Sequence, residues 1–203
     1  MLDVRKKPPE TLSLNLPMAL RLQVTLEQLK VLAAHNRNLR LELSAKGELL
    51  VNPPTGWETG ERNMDISLQL GIWWRGAGKP GKVFDSSTGF TMPSGAVLSP
   101  DASWVSADRW AKLTDPRSQT FATVCPDFVV ELRSASDSLR VLQAKMGEYI
   151  ENGARLGWAI DPQRQTVEIY RPDREVETRQ KPASISGESV LLGFTLDLAD
   201  IWG

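Results

Sequence analysis

Residues 127–133 (DFVVELR) constrain the fold of this chain most strongly, because they place a carboxylate inside an apolar segment. The run alternates between the two faces of a strand, with Phe128, Val130 and Leu132 on one face and Val129, Glu131 and Arg133 on the other. Removing a carboxylate from water is costly unless a partner offsets its charge. The run therefore predicts a core strand in which a cation, either Arg133 or a metal ion, compensates Glu131.

A second acid, Asp101, follows Pro100 at the start of another short strand-like run, residues 101–105. Two acids presented by neighbouring strands could share one hard cation. Each acid also has a purely structural interpretation. Glu131 could form an ion pair with Arg133 within its own strand, and aspartate after proline commonly only organises a turn.

The length of 203 residues suits one domain, and we expect a poorly ordered N-terminal extension over residues 1–15 and a single domain over residues 16–203. No apolar run approaches the about 20 residues that a membrane helix needs, and the first ten residues lack a signal-peptide core. The single cysteine, Cys125, excludes an internal disulfide and predicts a reducing, cytoplasmic environment.

Several classes of site are disfavoured by composition. With one cysteine and one histidine, the chain cannot build a Cys/His zinc site alone, and a Ser-His-Asp or Cys-His mechanism would depend on His35 in a polar segment. The formal net charge of −1 argues against an architectural DNA-binding role. It leaves room for an enzyme whose metal ions offset phosphate charge locally.

The order of predicted elements is helix, strands, helix, strands, which favours an α/β fold with a mixed β-sheet flanked by helices, preceded by an N-terminal helix and a β-hairpin. Helices are predicted over residues 25–34, 58–75, 107–113 and 136–150, the last capped by Ser136. The helix over residues 58–75 has an apolar stripe of Met64, Leu68 and Ile72, widened by Ile66, Leu70 and Trp73. On the predicted hairpin, Glu42 and Glu48 are expected to be solvated.

Lys145 is the third candidate for chemistry. It lies at the border of the apolar stripe of its helix, beside Leu142 and Tyr149, where a lysine usually extends to solvent. Because this helix follows directly on the Glu131 strand, its flank could overlook the end of that strand. A long cationic side chain there could reach a phosphate or a metal-bound water, and Gln143 on the other flank is the weaker candidate.

A series of short motifs resembles the Uma family, whose fold is similar to that of restriction endonucleases, the PD-(D/E)XK superfamily. The motifs occur in the family's order over residues 15–203: PPTG at 53–56, FDSSTGF at 84–90, SPDASWV at 99–105, CPDFVVELRS at 125–134, then Lys145-Met146, Tyr149, Asn152-Gly153 and GWAIDP at 157–162. The resemblance implies that Asp101 and Glu131 are the two metal-binding acids, with the Leu132 carbonyl as a further ligand. Arg133 replaces the lysine usual two residues after the second acid. In some relatives the following helix supplies that lysine, which is where Lys145 stands.

The resemblance implies an Mg²⁺-dependent or Mn²⁺-dependent endonuclease acting on phosphodiester bonds, with DNA as the expected substrate. Lys145 would orient the attacking water and Arg133 would stabilise developing charge. Two other functions stay open: a non-catalytic interaction protein that retains the fold, and a small-molecule phosphoesterase on the same metal site. The oligomeric state also stays open, a homodimer included.

Overall fold

The structure is a computed structural model that describes residues 21–52, 54–113 and 121–203. The predicted N-terminal extension, residues 1–15, lies outside these ranges. The division into an extension and one domain therefore stays a prediction.

The predicted order of helices and strands is confirmed, with boundaries shifted by a few residues. The helices are α1 (Leu26–His35), α2 (Trp57–Gly76), α3 (Ala107–Ala111), α4 (Leu139–Glu151) and α5 (Ala199–Trp202). The strands are β1 (Arg40–Leu43), β2 (Leu49–Asn52), β3 (Lys82–Asp85), β4 (Phe90–Thr91), β5 (Val97–Leu98), β6 (Ala102–Val105), β7 (Ala122–Thr123), β8 (Phe128–Leu132), β9 (Leu156–Asp161), β10 (Thr166–Tyr170), β11 (Glu177–Gln180), β12 (Ser184–Ser186) and β13 (Thr195–Asp197). Among the described residues, none of the helices combines the length and apolar character needed to cross a membrane.

The central sheet has six strands in the order β11-β10-β9-β8-β6-β3. Its pairs are antiparallel except for β8 and β9, which run parallel and are joined through α4. A second sheet of order β2-β1-β5-β4-β7 contains the predicted hairpin, and β12 pairs with β13 alone. The central sheet is thus mixed, as the sequence predicted. Because α4 connects β8 to β9, it follows directly on the strand that carries Glu131.

Strand β8 lies in the core and separates two apolar clusters, which explains why both of its faces are apolar apart from Glu131. Phe128, Val130 and Leu132 enter a cluster that includes residues of α2 and α5. On the other face, Val129 packs in a cluster that contains Tyr149 of α4. The predicted alternation of faces is therefore confirmed within β8, residues 128–132, and Glu131 lies on the α4 side.

Helix α4 starts later than predicted. Its N-cap is Ser138, and Ser136 lies ahead of the helix. The reason is a turn that occupies the preceding residues. The Ser134 amide donates to Asp137 Oδ2 at 2.8 Å, and the Asp137 amide donates to the Ser134 carbonyl at 3.2 Å. Because the Asp137 carboxylate accepts a hydrogen bond within this turn, it is not available to cap the helix.

Helix α2 packs on the sheet through a different face than the predicted one. Ile66 and Leu70 are buried, at 1% and 2% exposure, and face the core. Met64, Leu68 and Ile72 are exposed, at 64%, 50% and 61%. The helix has two apolar stripes on opposite sides, and periodicity alone does not determine which one packs inward.

Candidate active site

The two acids singled out from the sequence lie beside each other on paired strands. Strands β6 and β8 pair with Ala102 opposite Val130, so continuing this register by one residue places Asp101 opposite Glu131. Residues directly opposite in an antiparallel pair point to the same face. The Leu132 amide donates to Asp101 Oδ2 at 2.8 Å, which fixes the Asp101 side chain against β8.

Asp101 and Glu131 line one partly open cleft of about 650 Å³. Leu132 also lines it, together with the start of α2 and the turn at Ser134–Asp137. Both acids are largely buried, with 6% and 4% of their surface exposed. They are therefore held at the floor of the cleft rather than in bulk water.

Lys145 reaches this pair from α4. Its Nζ lies 2.8 Å from Glu131 Oε1 and 2.9 Å from Glu42 Oε1. The Tyr149 hydroxyl, one turn further along α4, donates to the same Glu131 oxygen at 2.8 Å. Lys145 does not extend to solvent as a border lysine usually does, because α4 packs against β8 and β9 and turns this flank toward the buried acids, as its position after the Glu131 strand suggested.

Burial and neighbouring charges set the protonation of these groups. Burial raises the pKa of Glu131 to about 7, with Asp101 and Glu42 adding to the rise and Lys145 opposing it. Burial alone would lower the pKa of Lys145, but the carboxylates of Glu131 and Glu42 outweigh it and raise that pKa above its ordinary value. Lys145 is therefore an ammonium at neutral pH. It can donate hydrogen bonds and offset negative charge, but it cannot act as a base.

Comparison with known proteins gives a family match and a similar solved structure. The family model Uma2, described as "Putative restriction endonuclease", matches residues 25–199, a span that contains all the side chains above. The chain belongs to the Uma2 family. A crystal structure from Anabaena variabilis, described as that of a "putative nuclease belonging to DUF820", is similar with a TM-score of 0.68 and 20% sequence identity, covering 80% of this chain and 89% of that chain. The restriction endonuclease-like fold predicted from the sequence is thus confirmed. No curated protein matches the chain.

Glu42 is the residue of this Uma2 site that the sequence prediction placed wrongly. It was expected to be solvated, yet only 3% of its surface is exposed. Its Oε1 accepts from the Ser99 amide at 2.6 Å and from Lys145, and its Oε2 accepts from Asn52 at 3.0 Å. Burial would raise the pKa of Glu42, but Lys145, the Ser99 amide and Arg40 together lower it. Its signal in the sequence is the one that Glu131 gives, an acid between two apolar residues.

Arg133 does not pair with Glu131, contrary to the structural interpretation considered from the sequence. Its Nη1 lies 2.8 Å from Asp161 Oδ2 at the end of β9, and its Nε donates to the Asp137 carbonyl at 3.1 Å. Strand β8 ends at Leu132, so the alternation of faces no longer constrains the residue after it. Arg133 is not among the described residues that line the cleft.

Arg40, at the start of β1, makes a contact with Asp101 that the sequence did not predict. Its Nη1 donates to Asp101 Oδ1 at 2.9 Å, and 32% of its side chain is exposed at the cleft. Both carboxylate oxygens of Asp101 therefore have a donor, one from Arg40 and one from the Leu132 amide. A cation that binds Asp101 would compete with Arg40 for Oδ1.

The oxygen atoms that the site offers are suitable ligands for a divalent cation. Asp101 and Glu131 supply carboxylate oxygens, and Leu132 supplies a carbonyl, which are the ligand types that Mg²⁺ prefers. Within residues 21–52, 54–113 and 121–203, no group of three or more Asp, Glu, His or Cys side chains is close enough to hold a metal ion. Two carboxylates are nevertheless sufficient for Mg²⁺, which keeps several waters and completes its shell with substrate phosphate. The residues fit a magnesium site of this open kind.

Proposed function

We propose that this Uma2 protein is a metal-dependent nuclease that hydrolyses phosphodiester bonds in DNA. One observation carries the proposal. Two buried carboxylates from paired strands, Asp101 and Glu131, line a single cleft, and the Lys145 ammonium lies 2.8 Å from one of them. Acids of this kind together with a fixed cation suit stabilisation of charge on a phosphate.

The charge of the cleft supports a requirement for metal. The described lining residues carry four carboxylates, Glu58, Asp101, Glu131 and Asp137, against two guanidinium groups, Arg37 and Arg40. Arg40 and Lys145 offset Asp101 and Glu131, so the cleft offers a phosphodiester little net positive charge of its own. A divalent cation at the two buried acids would add positive charge where the polyanion binds.

Each residue then has a defined part. Asp101, Glu131 and the Leu132 carbonyl would hold Mg²⁺ or Mn²⁺. When bound, the ion supplies Lewis acidity at a phosphoryl oxygen and offsets charge on the phosphate. Lys145, kept protonated by Glu131 and Glu42, would orient the attacking water by donating to it the third hydrogen bond, which the Ser99 carbonyl accepts at 3.4 Å in the structure. Arg133 would support β8 through Asp161, and the charge-stabilising role expected of it passes to Lys145.

The main rival is a non-catalytic protein that retained the fold, and one observation favours it. Arg40 already neutralises Asp101, and Lys145 already neutralises Glu131. A site whose acids are satisfied within the chain has less need of a cation. The two functions differ in whether Arg40 leaves Asp101 when metal and substrate enter.

A cleavage assay on the full chain tests the proposal. Supercoiled, linear duplex and single-stranded DNA are incubated with Mg²⁺ or Mn²⁺, and a small aryl phosphodiester is run in parallel. We expect cleavage of at least one DNA form, dependent on the added metal and abolished by a chelator. Turnover of the small ester alone would favour a phosphoesterase, and no turnover with any substrate would favour the non-catalytic protein.

A further inference from the structure

Helix α2 carries a second apolar face that the described fold leaves exposed. Its core face holds Ile66 and Leu70. On the opposite side lies an outer stripe, defined here as Trp57, Met64, Leu68 and Ile72, which recurs at helical spacing over the length of the helix. Their exposed fractions are 78%, 64%, 50% and 61%. Single exposed apolar residues are common, but three at successive turns, Met64, Leu68 and Ile72, with Trp57 two turns before them on the same face, are typical of an interaction surface.

The charges of the same face are arranged with two-fold symmetry. Glu61 and Arg75 are both exposed and lie seven residues before and seven residues after Leu68. Met64 and Ile72 lie four residues before and four residues after it. In an antiparallel pair of α2 helices centred on Leu68, Glu61 of each copy would face Arg75 of the other, and Met64 would face Ile72. The stripe is therefore complementary to itself in charge as well as in apolar character.

Gly71 on the flank of the stripe supports the close approach of a second helix. A Cβ added there would meet nothing within 4 Å, so packing within the chain does not require glycine. Glycine inside a helix is less favourable than alanine, since it adds backbone entropy to the unfolded state. A second helix that crosses α2 at Leu68 would explain glycine at position 71, because the absence of a side chain there lets the two helices approach closely.

We propose that the outer stripe of α2 binds a second copy of this chain, α2 against α2 and antiparallel, around a two-fold axis at Leu68. This isologous contact uses the same patch twice, as closed homodimers do. The proposal does not depend on nuclease activity, because the axis of the contact lies among Met64, Leu68 and Ile72, which are not among the described residues that line the cleft; only Trp57, at the start of the stripe, belongs to both surfaces.

Sedimentation equilibrium of the full chain over a range of concentrations tests the contact. The parent is expected to form dimers. Leu68→Glu places two like charges at the axis and should weaken dimerisation by about a hundredfold or more. Val141→Glu is the matched control, because Val141 is equally apolar and 67% exposed, on α4, and it should leave the dimer unchanged.

Charge reversal tests the antiparallel register. Glu61→Arg and Arg75→Glu should each weaken the dimer by about tenfold, since each creates two like-charge contacts. The double variant Glu61→Arg/Arg75→Glu restores both pairs and should dimerise as the parent does. A monomeric parent, a dimer insensitive to Leu68→Glu, or a double variant no better than the single ones would overturn the proposal. Circular dichroism melts establish that each variant is folded.

Discussion

Replacing Lys145 by methionine is expected to lower the free energy of unfolding by about 4 kcal/mol at neutral pH, the cost of breaking a buried ion pair on one side. The ammonium lies within 2.9 Å of both Glu131 and Glu42, whose surfaces are 4% and 3% exposed. Methionine keeps much of the volume but removes the cation that Glu42 and Glu131 share, and Glu131, whose pKa burial already raises to about 7, then takes up a proton at neutral pH. Urea denaturation of parent and variant measures the difference. From the sequence alone, the position of Lys145 at the border of the apolar stripe favours a much smaller effect, about 0.5 kcal/mol or less.

Two further variants show whether the loss comes from the charge. Arg140→Met removes a cation from an exposed position of the same helix and should cost less than about 0.5 kcal/mol. Combining Lys145→Met with Glu131→Gln removes one of the stranded carboxylates, so the double variant should be more stable than the sum of the single changes predicts, by about 1 kcal/mol or more. Strict additivity would show that Lys145 and Glu131 are not coupled.

The second large effect concerns metal linkage. A ligand that binds only the folded state stabilises it by about 2.7 kcal/mol at a concentration 100 times its Kd. Mg²⁺ or Mn²⁺ should therefore raise the melting temperature of the parent, and Asp101→Asn should lose most of that increment, because it removes one of the two carboxylates that line the cleft. Asp108→Asn changes an exposed aspartate on α3 and serves as the control. An equal metal-induced shift in parent and Asp101→Asn would place the ion elsewhere.

The part of the fold that follows from local pattern could be predicted from the sequence. Thr25 caps α1 through a capping box, and β8 is a fully buried strand with an acid in it. These features depend on neighbours a few residues apart. The inward face of α2 could not be predicted, because its two apolar stripes compete and only the position of the sheet selects Ile66 over Met64.

The residues of the site also divide into those that could be predicted from the sequence and those that could not. Asp101 and Glu131 could be paired from the sequence, since their strands follow each other and the acid in β8 requires compensation. Glu42 could not be joined to them, because it lies 103 residues before Lys145 and reaches it only through the packing of the hairpin against α4. The alternation of β1 predicted one solvated face, whereas residues 41–43 are all buried. The contact of Arg40 with Asp101 spans 61 residues and is equally a product of tertiary structure.

The most direct test of the central claim is the rate of DNA cleavage in Mg²⁺ by the parent, Asp101→Asn and Asp108→Asn, each first shown to be folded by its thermal melt. If Asp101, Glu131 and Lys145 form one metal-dependent centre, Asp101→Asn should cleave at least about a hundredfold more slowly than the parent, as expected for loss of transition-state charge stabilisation. Asp108→Asn should cleave at the parental rate. Cleavage by Asp101→Asn at the parental rate would contradict the account.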